Sequence, residues 1–213
     1  MRVLFKRGLL ILAPDDDDDG AEIARFGEAC EGHVFRMMHS GAGVQFIDLG
    51  PEDEARNLPL NITSASPPPL DLISNFAAAP FALDGRRYAS VESFWQSLKP
   101  SDPAERDRLA ALPGAEAKRE GQRLKTPPVF DYDGAAIRSG TADHWGLMQR
   151  ACEAKFAQNP AARQALALTG ARPLVHKVRR DSRVIPGVVM AEIWMKVRAR
   201  MAGSADAPGG AGA

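Results

Sequence analysis

Residues 80–99 read Pro80-Phe81-Ala82-Leu83-Asp84-Gly85-Arg86-Arg87-Tyr88-Ala89-Ser90-Val91-Glu92-Ser93-Phe94-Trp95-Gln96-Ser97-Leu98-Lys99. Asp84-Gly85 stands between apolar positions, and this dipeptide favours the positive-φ turn of a two-residue β-hairpin. Ser90 offers a side-chain oxygen to cap a helix over Val91–Leu98, which Pro100 helps to stop. A hairpin running directly into a helix predicts a mixed α+β unit. On that helix Glu92, Trp95, Gln96 and Lys99 fall at i, i+3, i+4 and i+7, along one face. The face joins a carboxylate, an indole, an amide and an amine. The charges also lie opposite Phe94 and Leu98, as on any amphipathic helix. The residues alone therefore leave open whether Glu92 and Lys99 serve a site or face water.

Downstream the pattern is mainly helical. Ser101 or Asp102 with Pro103 starts a helix through Leu112, and Ala115–Leu124 predicts another, weakened by Gly121. Asp143–Gln158 carries Trp145, Met148, Cys152 and Phe156 at helical spacing, a core face. Asn159-Pro160 breaks it, and Ala161–Leu168 follows. Leu174–Val178 predicts a strand. Val188–Met201 predicts a closing helix with Val189, Ile193, Val197 and Met201 on one face, and the Gly/Ala/Pro-rich stretch 203–213 a disordered tail.

Upstream, Ser64–Pro69 holds three consecutive prolines, which fix φ and lack an N–H, and this predicts an extended linker. The expected plan is a small α/β unit over 1–63, a linker over 64–70, a mainly helical domain with a small β component over 71–202, and the tail. Within the first unit Val3–Leu12 predicts a strand and Asp15–Asp19 a loop. A helix is expected over Ala21–Cys30, with strands over His33–Met38 and Val44–Leu49 around a Gly-rich turn.

Composition narrows the classes. With 45% hydrophobic and 25% charged residues the chain is neither collagenous, coiled-coil nor wholly disordered. Lys+Arg and Asp+Glu both number 27, so no net field draws nucleic acid or an anionic membrane. Leu9–Ala13 is too short for a signal-peptide core and runs into Pro14 and five aspartates. No stretch approaches the roughly 20 apolar residues that span a bilayer. Cys30 and Cys152 lie far apart, and no CxxC pair or Cys/His cluster is expected. His33, His39, His144 and His176 show no metal-ligand spacing. No GxSxG elbow, HExxH pair or phosphate-binding Gly-rich loop occurs. The reading expects a cytoplasmic protein with no metal, cofactor or membrane partner.

The ordered set Ser74-Asn75-Phe76, Pro80-Phe81, Leu83-Asp84-Gly85, Tyr88, Ser90-Val91-Glu92, Phe94-Trp95-Gln96 and Lys99 resembles the opening of the NADAR family, named for NAD and ADP-ribose. The resemblance continues through Glu116–Gly121, Met148–Asn159, Leu168-Thr169-Gly170 and Pro173-Leu174-Val175, covering roughly 72–200 and leaving the N-terminal unit unmatched. It implies an α+β, mainly helical NADAR-like domain and an N-glycosidase. Such enzymes break the bond between an anomeric carbon and a nitrogen. Their substrates are phosphorylated ribosylamine intermediates of riboflavin synthesis or ADP-ribose on guanine.

By the same resemblance Glu92 is the helix carboxylate that stabilises an oxocarbenium-like state. Lys99 is the helix amine, a proton donor or Schiff-base nucleophile, and Lys155 is the reserve amine. Ser74, Asn75 and Phe76 form the substrate-side loop. Trp95 or Phe76 could stack on the ligand, Asn75 and Gln96 could bond ribose hydroxyls, and Arg86, Arg179 and Arg183 could hold phosphate. Members of the family carry a Trp-Gly-Asp-like loop before the final helix. Here 176–187 has neither Trp nor Gly-Asp, so Asp181 is expected to supply the carboxylate, and the aromatic wall is either missing or replaced by Trp194 or Trp145. The expected partner is a small-molecule nucleotide or ADP-ribosyl substrate, free or presented on nucleic acid. Residues 1–63 are left for a protein partner. The alternatives are a non-catalytic ADP-ribose reader and a plain interaction module.

Overall fold

The computed structural model describes residues 1–6, 9–40 and 43–205, and divides into two compact units, Met1–Leu58 and Pro59–Ala213. In the first unit strands β1 (Arg2–Lys6) and β2 (Leu9–Ala13) form an antiparallel hairpin where one strand is expected. Helix α1 (Asp17–Cys30) begins earlier than the sequence suggests: Asp16 caps it by accepting from the Asp19 N–H at 2.8 Å. Asp17, Asp18 and Asp19 fill its first turn. Carboxylates there oppose the positive end of the helix dipole, which favours helix over loop. Strands β3 (His33–Ser40) and β4 (Gly43–Pro51) pair antiparallel, and α2 (Glu52–Asn57) closes the unit.

The second unit has an α+β fold. Strand β5 (Leu60–Asn61) precedes a 3-10 turn over Leu70–Ile73, the hairpin β6 (Phe81–Leu83) and β7 (Arg86–Tyr88), and helix α3 (Val91–Ser97). Helices α4 (Pro103–Ala111) and α5 (Gly114–Gly121) follow, then the hairpin β8 (Val129–Tyr132) and β9 (Ala135–Arg138). Helices α6 (Ala142–Gln158) and α7 (Pro160–Ala167), strand β10 (Leu174–Val175) and helix α8 (Gly187–Ala205) complete it. The predicted strand over Leu174–Val178 is thus shorter, and the expected tail begins inside α8. Residues 206–213 lie outside the described part.

Parallel pairing of β5 with β10 ties the chain into the second unit before the prolines arrive. The expected linker over 64–70 is therefore part of that unit. Ser66 is buried there, its hydroxyl donating to the Asn61 carbonyl and accepting from the Thr63 N–H. Both hairpins turn on Asp-Gly, with φ of 49° and 79° at Asp84-Gly85 and 55° and 80° at Asp133-Gly134. The Asp84 carboxylate also accepts from the Tyr132 hydroxyl at 2.6 Å and from Arg150 at 2.7 Å, so the two hairpins and α6 are joined at one side chain.

Every residue of α3 is buried, and the helix packs against α4, α5, α6 and β7. Phe94 contacts Phe81, Tyr88 and Tyr132, the closest ring pair being 4.9 Å apart and edge-on to Tyr88. Met148, Cys152 and Phe156 join this core from α6, and Ile193 and Val197 from α8. No helix among the described residues is long and apolar enough to cross a membrane.

Candidate active site

A short helix buried on all sides pairs most of the polar groups it carries inward, although Gln96 Oε1 is left without a partner. Ser90 Oγ accepts from the Ser93 N–H at 3.0 Å, and Ser93 Oγ donates to the Leu112 carbonyl at 2.8 Å. The Glu92 N–H donates to the Asn75 carbonyl at 2.9 Å, which seats the Ser74–Phe76 loop across the start of the helix. Glu92 is itself buried, and its Oε1 accepts from Gln96 Nε2 at 2.6 Å. The same oxygen lies 3.3 Å from the ammonium of Lys118 on α5.

Glu92 and Lys118 line a cleft of about 240 Å³. Ser74, Asn75 and Phe76 form its loop side, and Trp95, Met148, Ile185 and Met190 an apolar wall. The Trp95 ring is fixed from behind by His144, 4.6 Å away, and Phe130, 6.4 Å away. Burial lowers the His144 pKa to about 4, so this imidazole is neutral packing for the indole. His176, Arg180 and Asp181 close the far side. His176 Nδ1 bonds the Ile62 carbonyl at 2.6 Å, and its ring packs edge-on against Trp194. Asp181 Oδ1 accepts from the Ser182 and Gly187 N–H groups at 2.8 and 2.9 Å, so this carboxylate also holds the entry to α8.

Two glycines set the distance between α5 and its neighbours. A Cβ on Gly114 would fall 2.8 Å from the backbone of Phe76, and one on Gly121 2.6 Å from Gln96 Cδ. Neither position has room for a side chain, which is how α5 comes close enough to present Lys118 to Glu92.

The expected residues divide sharply. Ser74, Asn75, Phe76, Glu92, Trp95 and Asp181 meet at the cleft. Lys99 does not join them. Helix α3 ends at Ser97, and Lys99, just beyond it, is not among the residues that line the cleft. Its amine donates to the Gly121 carbonyl at 2.8 Å and stands 5.5 Å from the Trp95 ring centroid. Burial first, and then the Lys118 charge, lower its pKa, against an opposing effect of the Glu92 charge. Lys155 lies beneath the loop, donating to the Ile73 and Ser74 carbonyls at 3.1 and 2.7 Å, and burial lowers its pKa to about 8. Gln96 is fully buried behind Glu92. Arg86 lies in a separate cleft with Arg106 and Asp133, and Arg179 and Arg183 are exposed outside the lining. Neither stand-in tryptophan forms the wall: Trp145 donates its indole N–H to the Val184 carbonyl at 2.9 Å, and Trp194 is fully buried.

The sequence reading misses Lys118, His176 and Arg180. Lys118 sits within Glu116–Gly121, a fragment that carries the resemblance, and Arg180 between Arg179 and Arg183, in the basic loop Lys177–Arg183. Nothing local marks either as facing Glu92 or the cleft.

The model of one family, described as bacteriophage protein GP30.3, matches residues 69–194. Among solved structures, the NMR structure of the Escherichia coli protein YbiA is similar in fold. It is 24% identical, the match covers 68% of this chain and 86% of that one, and the TM-score is 0.53. No curated protein sequence matches.

Proposed function

This chain belongs to the family of bacteriophage protein GP30.3, and from the resemblance of residues 72–200 to the NADAR family we propose that it is an N-glycosidase of NADAR type. Its substrate is a phosphorylated ribosyl or ADP-ribosyl N-glycoside. The observation that carries the reading is a buried carboxylate and an amine 3.3 Å apart, facing one cleft walled by aromatic rings. Breaking the bond from the anomeric carbon to nitrogen sends the electron pair to the leaving base, which takes a proton. The sugar is left as an oxocarbenium-like cation, to which water adds with loss of a proton. Glu92, held by Gln96, stabilises the cation. Lys118 supplies the proton. In the alternative route its nitrogen adds to C1 of the ring-opened glycosylimine, the base leaves from C1 with the proton that nitrogen gives up, and water hydrolyses the resulting Schiff base to free sugar aldehyde and lysine. Lys118 takes the place that the resemblance gives to Lys99. Phe76 and Trp95 stack on the ligand, and His176 and Arg180 are the groups placed to meet phosphate.

Ligand sites for small molecules commonly span about 300–1,000 Å³. The cleft, at about 240 Å³, holds the ribosyl centre. A longer ADP-ribosyl ligand would extend past His176, Val178 and Asp181 into the adjoining groove of about 530 Å³, which those residues share.

The test measures released base from ADP-ribosylated guanosine and, separately, from the riboflavin-pathway ribosylamine phosphates. Wild type is compared with Glu92→Gln, Lys118→Ala and Lys99→Ala. Loss of turnover in the first two with most activity kept in the third is expected. Undiminished turnover in Glu92→Gln removes the mechanism. Borohydride trapping of a sugar–protein adduct separates the Schiff-base route from acid/base hydrolysis. A second reading, a non-catalytic ADP-ribose reader, is favoured by the engagement of the Lys99 amine with Gly121. Tight ADP-ribose binding without base release from any substrate would select it.

A further inference from the structure

Three side chains of the N-terminal unit converge although the sequence gives no sign of a cluster. Cys30 ends α1, His33 opens β3 three residues later, and Asp48 comes from β4. Glycines at 32 and 50 turn the chain beside them with φ of 74° and 83°. The Glu52 N–H donates to the Gly32 carbonyl at 3.0 Å, which locks the two turns together. The β3–β4 register shifts between His33 and Phe35, the kind of irregularity that re-aims a side chain. As a result Asp48 Oδ2 stands 2.9 Å from His33 Nδ1 and 3.8 Å from Cys30 Sγ, and one ligand atom from each residue lies within 4.8 Å of the other two.

We propose that Cys30, His33 and Asp48 bind one zinc ion through Sγ, Nδ1 and Oδ2, with the fourth position open to water. A tetrahedral zinc ion with bonds of roughly 2.0–2.3 Å sets its ligand atoms about 3.3–3.8 Å apart. The sulfur–oxygen gap already has that length, and the imidazole and carboxylate need to part by only about half an ångström. The donor set of thiolate, imidazole and carboxylate suits a borderline-soft dication and disfavours magnesium or calcium. The Asp48 carboxylate is held in place: Oδ1 accepts from the Gly50 N–H at 2.8 Å and lies 3.0 Å from His33 Nδ1, and Oδ2 is the oxygen that lies near both His33 and Cys30. Asp48 is exposed while Cys30 and His33 are half-buried, so an ion has an entry path and one face open to solvent. The imidazole would ligate as the tautomer with its proton on Nε2. The bound ion would tie the end of α1 to the β3–β4 hairpin.

The experiment uses the full chain and zinc alone, titrated against a chromogenic chelator, with iodoacetamide labelling of thiols mapped by mass spectrometry. One zinc per chain is expected. Zinc should slow alkylation of Cys30 in the wild type, while Cys152, fully buried, stays unlabelled in either state. Cys30→Ser, His33→Ala and Asp48→Asn should each weaken binding about tenfold or more, and Glu92→Gln should leave it unchanged. Alkylation of Cys30 at the same rate with and without zinc overturns the proposal, and that arm does not depend on any variant folding. Binding that survives His33→Ala and Asp48→Asn, or that Glu92→Gln abolishes, overturns it as well.

Discussion

Lys155 offers a test of the support beneath the cleft. Its amine is buried, and that burial lowers its pKa from 10.5 to about 8, with Cys152 acting weakly in the opposite sense. Below pH 8 the group is protonated in both the folded and the unfolded chain and adds no pH dependence. Between about 8 and 10.5 the folded protein has released the proton that the unfolded chain still holds. The unfolded state then binds more protons, so stability rises with pH across this window. At roughly 1.4 kcal/mol per pH unit the full gain is on the order of 3 kcal/mol. Cys152 works against it: its thiol is pushed up to about 12 by burial, so from pH 9 upward the folded state keeps a proton that the unfolded state loses.

Subtracting Lys155→Met from the wild type removes the part of that background that comes from burial of Cys152 and leaves only the part that the Lys155 charge itself contributes. Methionine fills a similar volume and leaves the Ile73 and Ser74 carbonyls without the amine donor, a cost that does not vary with pH. Urea unfolding of both proteins at pH 7, 8, 9 and 10 should show the stability difference moving in favour of wild type by about 2 kcal/mol between pH 8 and 10. A difference that stays flat, or that falls with pH, would mean that Lys155 keeps its ordinary pKa and is not held in an apolar setting under the loop.

The close approach of α5 to α3 predicts that Gly121→Ala loses about 1–3 kcal/mol. The expected drop in Tm is roughly 2–4 °C per kcal/mol, read by thermal denaturation. Because the new methyl group displaces Gln96, base release should fall further than the stability loss accounts for, and unchanged turnover would separate Gln96 from Glu92. Asp181→Ala removes the acceptor for the Gly187 N–H and should cost about 1 kcal/mol. Asp181→Asn keeps an oxygen there and should recover most of that stability, while a ligand contact that depends on the charge stays lost in both.

Local signals carry much of the second unit. Asp84-Gly85 makes its hairpin, Ser90 caps α3, and Asn159-Pro160 parts α6 from α7. The same turn chemistry stands at Asp133-Gly134 and makes β8–β9, a hairpin the sequence reading passes over. The boundary between units is not legible from the prolines, because it depends on pairing Leu60 with Leu174, more than a hundred residues away. The site is half legible for a related reason. Helical spacing correctly joins Glu92 to Trp95, one turn apart. Lys99, one turn further, also comes beside the Trp95 ring, but its amine bonds the Gly121 carbonyl and it does not line the cleft. Lys118 reaches Glu92 through packing that two glycines permit, and no periodicity along the chain encodes that approach.

Burial explains why the family-like residues separate into two groups. A carboxylate inside the domain carries a desolvation cost of several kcal/mol unless hydrogen bonds and charge offset it. Glu92 meets that cost with the Gln96 amide and the Lys118 ammonium. The loop that covers it would otherwise leave the Ile73 and Ser74 carbonyls unsatisfied, and Lys155 supplies their donor. Gln96 and Lys155 therefore act on the cleft without facing it. Their substitution should loosen the carboxylate and the loop before it removes any contact with a ligand. Substituting Phe76 or Trp95 should do the reverse, weakening ligand binding through lost stacking while Glu92 keeps both of its partners.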